Sequence, residues 1–159
     1  MNRRSILSNS VLIVLGLALT AGHGVAQSAK DLVGTWTAVK AEAYGATPKG
    51  SLNFDPNGHF TLILMRSDLP KYASNNRIQG TPAEYKATVE GVLAYFGTYS
   101  LSGTDLNLHI EGSTFPNWTG TDQKRVNLSV TGDELKYTNP TPSGGPAGAA
   151  IPLVWKRVK

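Results

Sequence analysis

The chain has 159 residues, no cysteine, and 15 Lys or Arg against 11 Asp or Glu, for a formal net charge of +4. Without disulfides a hydrophobic core must hold the fold, and a chain of this length buries about two-thirds of its unfolded surface in one domain. The basic excess forms no stripe: its densest cluster is Lys156, Arg157 and Lys159 at the chain end, which argues against a nucleic-acid partner.

Residues 1–26 read as a cleaved export signal. Arg3 and Arg4 precede an apolar run from Val11 to Leu19, and Gly24-Val25-Ala26 supplies a small-residue exit. The run is shorter than the roughly 20 apolar residues of a spanning helix, so no stable membrane span is expected after cleavage. Arg3-Arg4 also resembles a twin-arginine signal. Losing this segment removes two basic and no acidic residues, which brings the net charge to about +2. The expected location is exported, either periplasmic or secreted, with residues 27–159 as the mature domain.

Eight short alternating or apolar runs follow: Val33 to Ala43, Gly50 to Phe54, His59 to Arg66, Val92 to Leu101, Thr104 to Gly112, Lys124 to Val130, Glu134 to Asn139, and Ile151 to Val158. Turn residues separate them, notably Asp55-Pro56-Asn57-Gly58, Ser102-Gly103 and Gly132-Asp133. This is the pattern of an all-β antiparallel barrel or sandwich. One helix is predicted from Thr81, with Pro82 at its first position and Glu84 completing a capping box, ending near Gly91. Tyr85, Val89 and Val92 would form its apolar stripe, packed over a barrel end or acting as a lid. Pro140 to Pro152 reads as a loop within the domain.

Gly34-Thr35-Trp36 in the first run and Trp155-Lys156-Arg157 in the last resemble the lipocalin pattern. The segments PKGSLNF, FTLILMRSD, PKYASNNR, GTPAEYK, YFGTY and HIEGSTFPNWTGTDQKR extend the likeness to the bacterial and fungal lipocalin-like domain family, from Leu32 to Arg157. The resemblance implies an eight-stranded antiparallel barrel with one short helix. It further implies that Trp36 sits at the closed end with Arg157 packed across it, a cation–π contact worth about 0.5 to 2 kcal/mol.

The stretch from Leu108 to Arg125 concentrates polar, aromatic and basic groups and is the candidate binding mouth. A two-residue Ser102-Gly103 turn would pair Tyr99 with Leu106, Gly97 with Leu108 and Tyr95 with Ile110, placing His109 and Glu111 together on the other face. In a small barrel the apolar face normally points inward, leaving that pair in water. The functional reading turns His109 and Glu111 into the cavity, with Arg125 from the next strand and Tyr99 or Tyr137 nearby, to orient a carbonyl or carboxylate. Phe115 and Trp118 would stack on a flat or apolar ligand, with Met65 as an adaptable neighbour and Arg66 in a basic rim.

No metal site is expected, because His59, His109 and scattered carboxylates lack the spacing that three or four ligands need. No glycine loop cradles a nucleotide and no nucleophile elbow occurs, so no cofactor is expected either. The leading expectation is a non-catalytic exported barrel binding a small, largely apolar molecule, with room for an acidic or carbonyl group. The alternatives are an isomerase or cyclase using His109 and Glu111 for proton transfer, and a protein-interaction or structural barrel.

Overall fold

Period-two alternation of apolar and polar residues builds eight strands: β1 (Gly34–Ala41), β2 (Lys49–Phe54), β3 (His59–Met65), β4 (Val92–Ser102), β5 (Asp105–Ser113), β6 (Asp122–Thr131), β7 (Glu134–Asn139) and β8 (Ile151–Arg157). A computed structural model describes residues 27–144 and 149–159. The predicted signal segment 1–26 and part of the loop before β8 lie outside the described residues. Each strand pairs antiparallel with the next and β8 pairs with β1, giving a closed barrel. Closure leaves no exposed sheet edge. All eight expected runs form strands, with ends shifted by at most two residues. Among the described residues no helix is long and apolar enough to cross a membrane.

The connections alternate in length, which gives the barrel two different ends. Asp55–Gly58, Gly103-Thr104 and Gly132-Asp133 are tight turns at one end, with Gly58, Gly103 and Gly132 at φ of 89°, 61° and 58°. At the first of these, Asp55 Oδ1 accepts from the backbone N–H groups of Asn57 and His59, both at 2.8 Å. Those bonds, chiefly the one from His59, hold the Asp55 carboxyl below its ordinary range. A short helix α1 (Ala29–Leu32) plugs this end: Leu32 and Trp36 are fully buried, and Trp36 Nε1 donates to the Leu32 carbonyl at 2.8 Å. Arg157 Cζ lies 4.0 Å from the Trp36 ring centroid, and its two Nη atoms donate to the carbonyls of Val33 and Asp31 at 2.8 and 2.7 Å.

The four long connections gather at the opposite end. That between β3 and β4 carries helix α2 (Pro82–Gly91), whose capping box forms as the sequence predicts. Glu84 Oε2 accepts from Thr81 N at 2.6 Å, while its Oε1 accepts from Ala73 N at 2.8 Å and ties the preceding loop to the helix. The predicted apolar stripe does not pack as expected. Val89 is 77% exposed and Tyr85 instead faces Tyr72 edge-on at 5.7 Å, so the helix is anchored by its cap and loop contacts.

Two bulges decide which side chains point inward. The β4–β5 turn is Gly103-Thr104, one residue later than expected, so Tyr99 pairs with Leu108 and Leu101 with Leu106. A shift of two in pairing preserves the face, and Leu106, Leu108 and Ile110 are buried inside the barrel. Beyond Gly97 an extra residue on β5 moves Tyr95 from the predicted Ile110 partner to Ser113. A Cβ at Gly97 would strike the His109 carbonyl oxygen, so the close approach of β4 and β5 requires glycine there. On β6 the ladder with β7 skips between Val126 and Ser129, where Asn127 has φ of 56°. That bulge reverses the alternation, so Arg125 and Leu128 both point into the barrel although three residues apart.

Candidate functional site

A cavity of about 640 Å³ opens at the end carrying the long connections. Its walls are apolar, with Leu62, Leu64, Leu93 and Leu153 from the strands and Phe115, Ile151 and Val92 nearer the mouth. Each long connection adds rim residues: Ala43 and Tyr44, Val89 and Glu90, Thr114 and Phe115, and Pro142 to Gly144. The volume lies within the range of drug-sized ligand sites.

Polar groups converge deep in this cavity. Arg125 is 1% exposed and lines it together with Tyr95 and Tyr137, while Tyr44 and Asn139 line it from the mouth end. Arg125 Nη1 donates to the Lys124 carbonyl at 2.8 Å and Nη2 donates to the Tyr95 hydroxyl oxygen at 3.2 Å. Its Cζ lies 5.5 Å from the Trp118 ring centroid and 5.9 Å from that of Tyr95, and those two rings meet edge-on at 5.3 Å. Among the described residues no carboxylate lies within ion-pair distance of it. The rings and one carbonyl offset part of the desolvation cost of a buried guanidinium. Burial pushes the Tyr137 phenol far above its ordinary range and the Tyr44 phenol up to about 12, with the neighbouring Tyr95 adding to both.

The predicted site residues divide between the two faces and two ends of the barrel. Arg125, Tyr137 and Phe115 line the cavity. Trp118, on a 3₁₀ turn (Pro116–Trp118), is buried behind it and meets Phe115 edge-on at 5.9 Å, so it backs Arg125 where an open stacking rim was expected. His109 and Glu111 are exposed on the outer face, and His109 Nδ1 lies 2.8 Å from Asp122 Oδ1 across the β5–β6 ladder. This corrects their lumen-facing placement: inward Leu108 and Ile110 alternate with them, and apolar burial decides the face. Tyr99 points inward at the closed end, edge-on to Phe54 at 4.8 Å with its hydroxyl donating to the Asp55 carbonyl at 2.8 Å, away from the cavity. Met65 follows the outward parity of Thr61 and Ile63 and does not line the cavity. Arg66 is paired with Asp68 through two bonds of 2.9 and 2.7 Å.

Tyr95, Tyr44 and Asn139 are the members that sequence reasoning left out. Tyr95 was already on the inward face by parity with Tyr99, and a buried tyrosine hydroxyl requires a partner. That pair of facts was the available signal. No comparable signal marks Tyr44 or Asn139, which reach the cavity from strand ends and loops.

An eight-stranded up-and-down barrel, closed at one end and hollow at the other, defines the class of calycin-type barrels. Residues 34–158 match the model of the lipocalin-like domain family, and the protein belongs to that family. A 4'-hydroxy-3'-methoxypropiophenone carrier protein of Aspergillus oryzae is 30% identical over 105 residues, spanning 60% of this chain and 93% of that protein. Among solved structures, a lipocalin-like protein from Bacteroides uniformis is 17% identical over 80% of this chain and 99% of its own, with a TM-score of 0.44. An uncharacterized protein from Bacteroides eggerthii is 12% identical over the same shares, with a TM-score of 0.42.

Proposed function

We infer that this protein is an exported, non-catalytic carrier that holds a small, largely apolar molecule in the open end of its barrel. The observation that carries the reading is the cavity of about 640 Å³, walled by leucines and floored by a few converging polar groups. Such a composition gives affinity through apolar burial and orientation through a small number of hydrogen bonds. The relative named as a carrier of an aryl ketone supports the same class of role. Export rests on the residue pattern of positions 1–26, and the intact mass of protein recovered from the periplasm or medium tests it, cleavage after Ala26 being expected.

Proton transfer by His109 and Glu111 finds no support in this arrangement, since both side chains lie outside the barrel wall and cannot reach a molecule within it. The container reading is tested by titrating the protein with a neutral naphthalene probe whose fluorescence rises in apolar surroundings. One site per chain is expected, lost in a Leu93→Trp variant that fills the cavity while its circular dichroism spectrum is unchanged. A probe that binds the filled variant as well as the native protein would remove the cavity from the account.

A further inference from the structure

Every polar group at the cavity floor is set to donate a hydrogen bond. Arg125 has no acceptor side. The bonds it makes to Lys124 and Tyr95 use one N–H on each Nη, and its remaining N–H groups have no acceptor among the described residues. Because the Tyr95 oxygen accepts from Arg125, its own hydrogen is available to a third party. Tyr137 and Tyr44 hold their protons well above neutral pH because burial disfavours the phenolate. The Asn139 Oδ1 takes the Thr141 N–H at 3.2 Å, which leaves its amide hydrogens uncommitted. Glu90, the carboxylate that lines the same cavity, stands exposed at the mouth with Lys86 Nζ at 3.8 Å.

A buried guanidinium with uncommitted N–H groups and no carboxylate partner, flanked by hydroxyls that can donate, is complementary to a group that only accepts. We propose that the head group this cavity selects is an anionic oxygen, a carboxylate or an enolate of a small aryl or acyl compound, held against Arg125 with Tyr95 and Tyr137 around it. The inference rests on the container reading and adds the ligand's charge to it. An anion there pairs a buried charge that the protein alone leaves unpaired, whereas a neutral amide or alcohol leaves that charge uncompensated.

The test compares naphthoate with naphthamide and naphthylmethanol, isosteres that fill the cavity alike, by calorimetry at neutral pH. Naphthoate is expected to bind at least about tenfold more tightly than either, as expected for a charge-assisted hydrogen-bond pair. That preference is expected to vanish in Arg125→Met and to survive in part in Arg125→Lys. Tyr95→Phe and Tyr137→Phe, which keep the packing, should each weaken naphthoate severalfold and by a larger factor than naphthamide, so the proposal remains testable if Arg125→Met fails to fold. Benzoylacetone supplies the second arm: an enolate absorbance band on binding at neutral pH would place the enolate among the accepted heads, and its absence with tight naphthoate would restrict the site to carboxylates. Equal affinity for naphthoate and naphthamide, or an acid preference that persists in Arg125→Met, overturns the proposal while the container reading stands. Failure of all three naphthalene compounds to bind overturns both.

Discussion

Two arginines of this barrel do opposite things, and surroundings rather than residue type make the difference. Arg157 is satisfied by protein: the Trp36 ring lies under it and two carbonyls accept from it. Arg157→Met should therefore lower stability by about 2 kcal/mol, the sum expected of a cation–π contact and charge-assisted hydrogen bonds, read as a shift in the urea midpoint. Arg125 is equally confined but only partly satisfied, which makes it a binding group. His109 is the contrasting residue, chemically suggestive in sequence but solvated beside Asp122. His109→Ala is expected to change stability by less than about 0.5 kcal/mol and probe affinity not at all. The aromatic cluster behind Arg125 was legible as residue types but not as geometry, because Trp118 faces either rim or wall depending on how its loop folds back over Tyr95.

At the scale of the strand, the bulge at Asn127 is the device that creates the site. Uninterrupted alternation along β6 would put Val126, Leu128 and Val130 on the buried face and Arg125 outside. One residue in the left-handed region shifts the phase so that Arg125 and Leu128 share the interior. Asn127→Gly should keep the bulge and change stability by less than about 0.5 kcal/mol, since glycine adopts positive φ freely. Asn127→Val should destabilise by about 1 to 3 kcal/mol, the cost of forcing a β-branched residue into that conformation. Deleting Asn127 should straighten the strand, carry Arg125 to the outer face and abolish binding of naphthoate, measured by calorimetry. The capping box of α2 could be read in advance because it needs only residues three apart, Thr81 and Glu84. The failure of Val89 to pack could not, because what lies beneath a helix is a tertiary matter.

For the molecule as a whole, stability falls at both extremes of pH through different groups. Asp31, Asp55 and Asp133 at the closed end, and Glu84 near the mouth, have carboxyls held below their ordinary range by hydrogen bonds, chiefly from Ser28, His59, Lys159 and Thr81 respectively. A folded-state value below the unfolded one contributes stability that is present above the unfolded value and lost as pH falls through the folded one, so acid should weaken the fold below about pH 4. Tyr44 and Tyr137 run the other way. Their phenols are raised, so the stability they contribute is complete below about pH 10 and is lost as pH climbs through the folded values. Ultraviolet titration of phenolate absorbance should accordingly show these two of the six tyrosines ionising last, together with loss of near-ultraviolet circular dichroism from the cavity end.

The sequence by itself determined the strands: period-two patterning and turn residues placed eight of them, in a barrel or a sandwich, and the lipocalin-like resemblance carried by Trp36 and Arg157 implied the closed barrel. These features depend on residues near one another in the chain or on burial, which acts on every apolar side chain alike. Only the tertiary structure decided the site. Arg125 reaches the interior only through a single-residue bulge in β6, and one inserted residue reverses everything beyond it. Whether the barrel is hollow depends on how Leu62, Leu93, Tyr95 and Tyr137, far apart in the chain, share one volume, which no local pattern records.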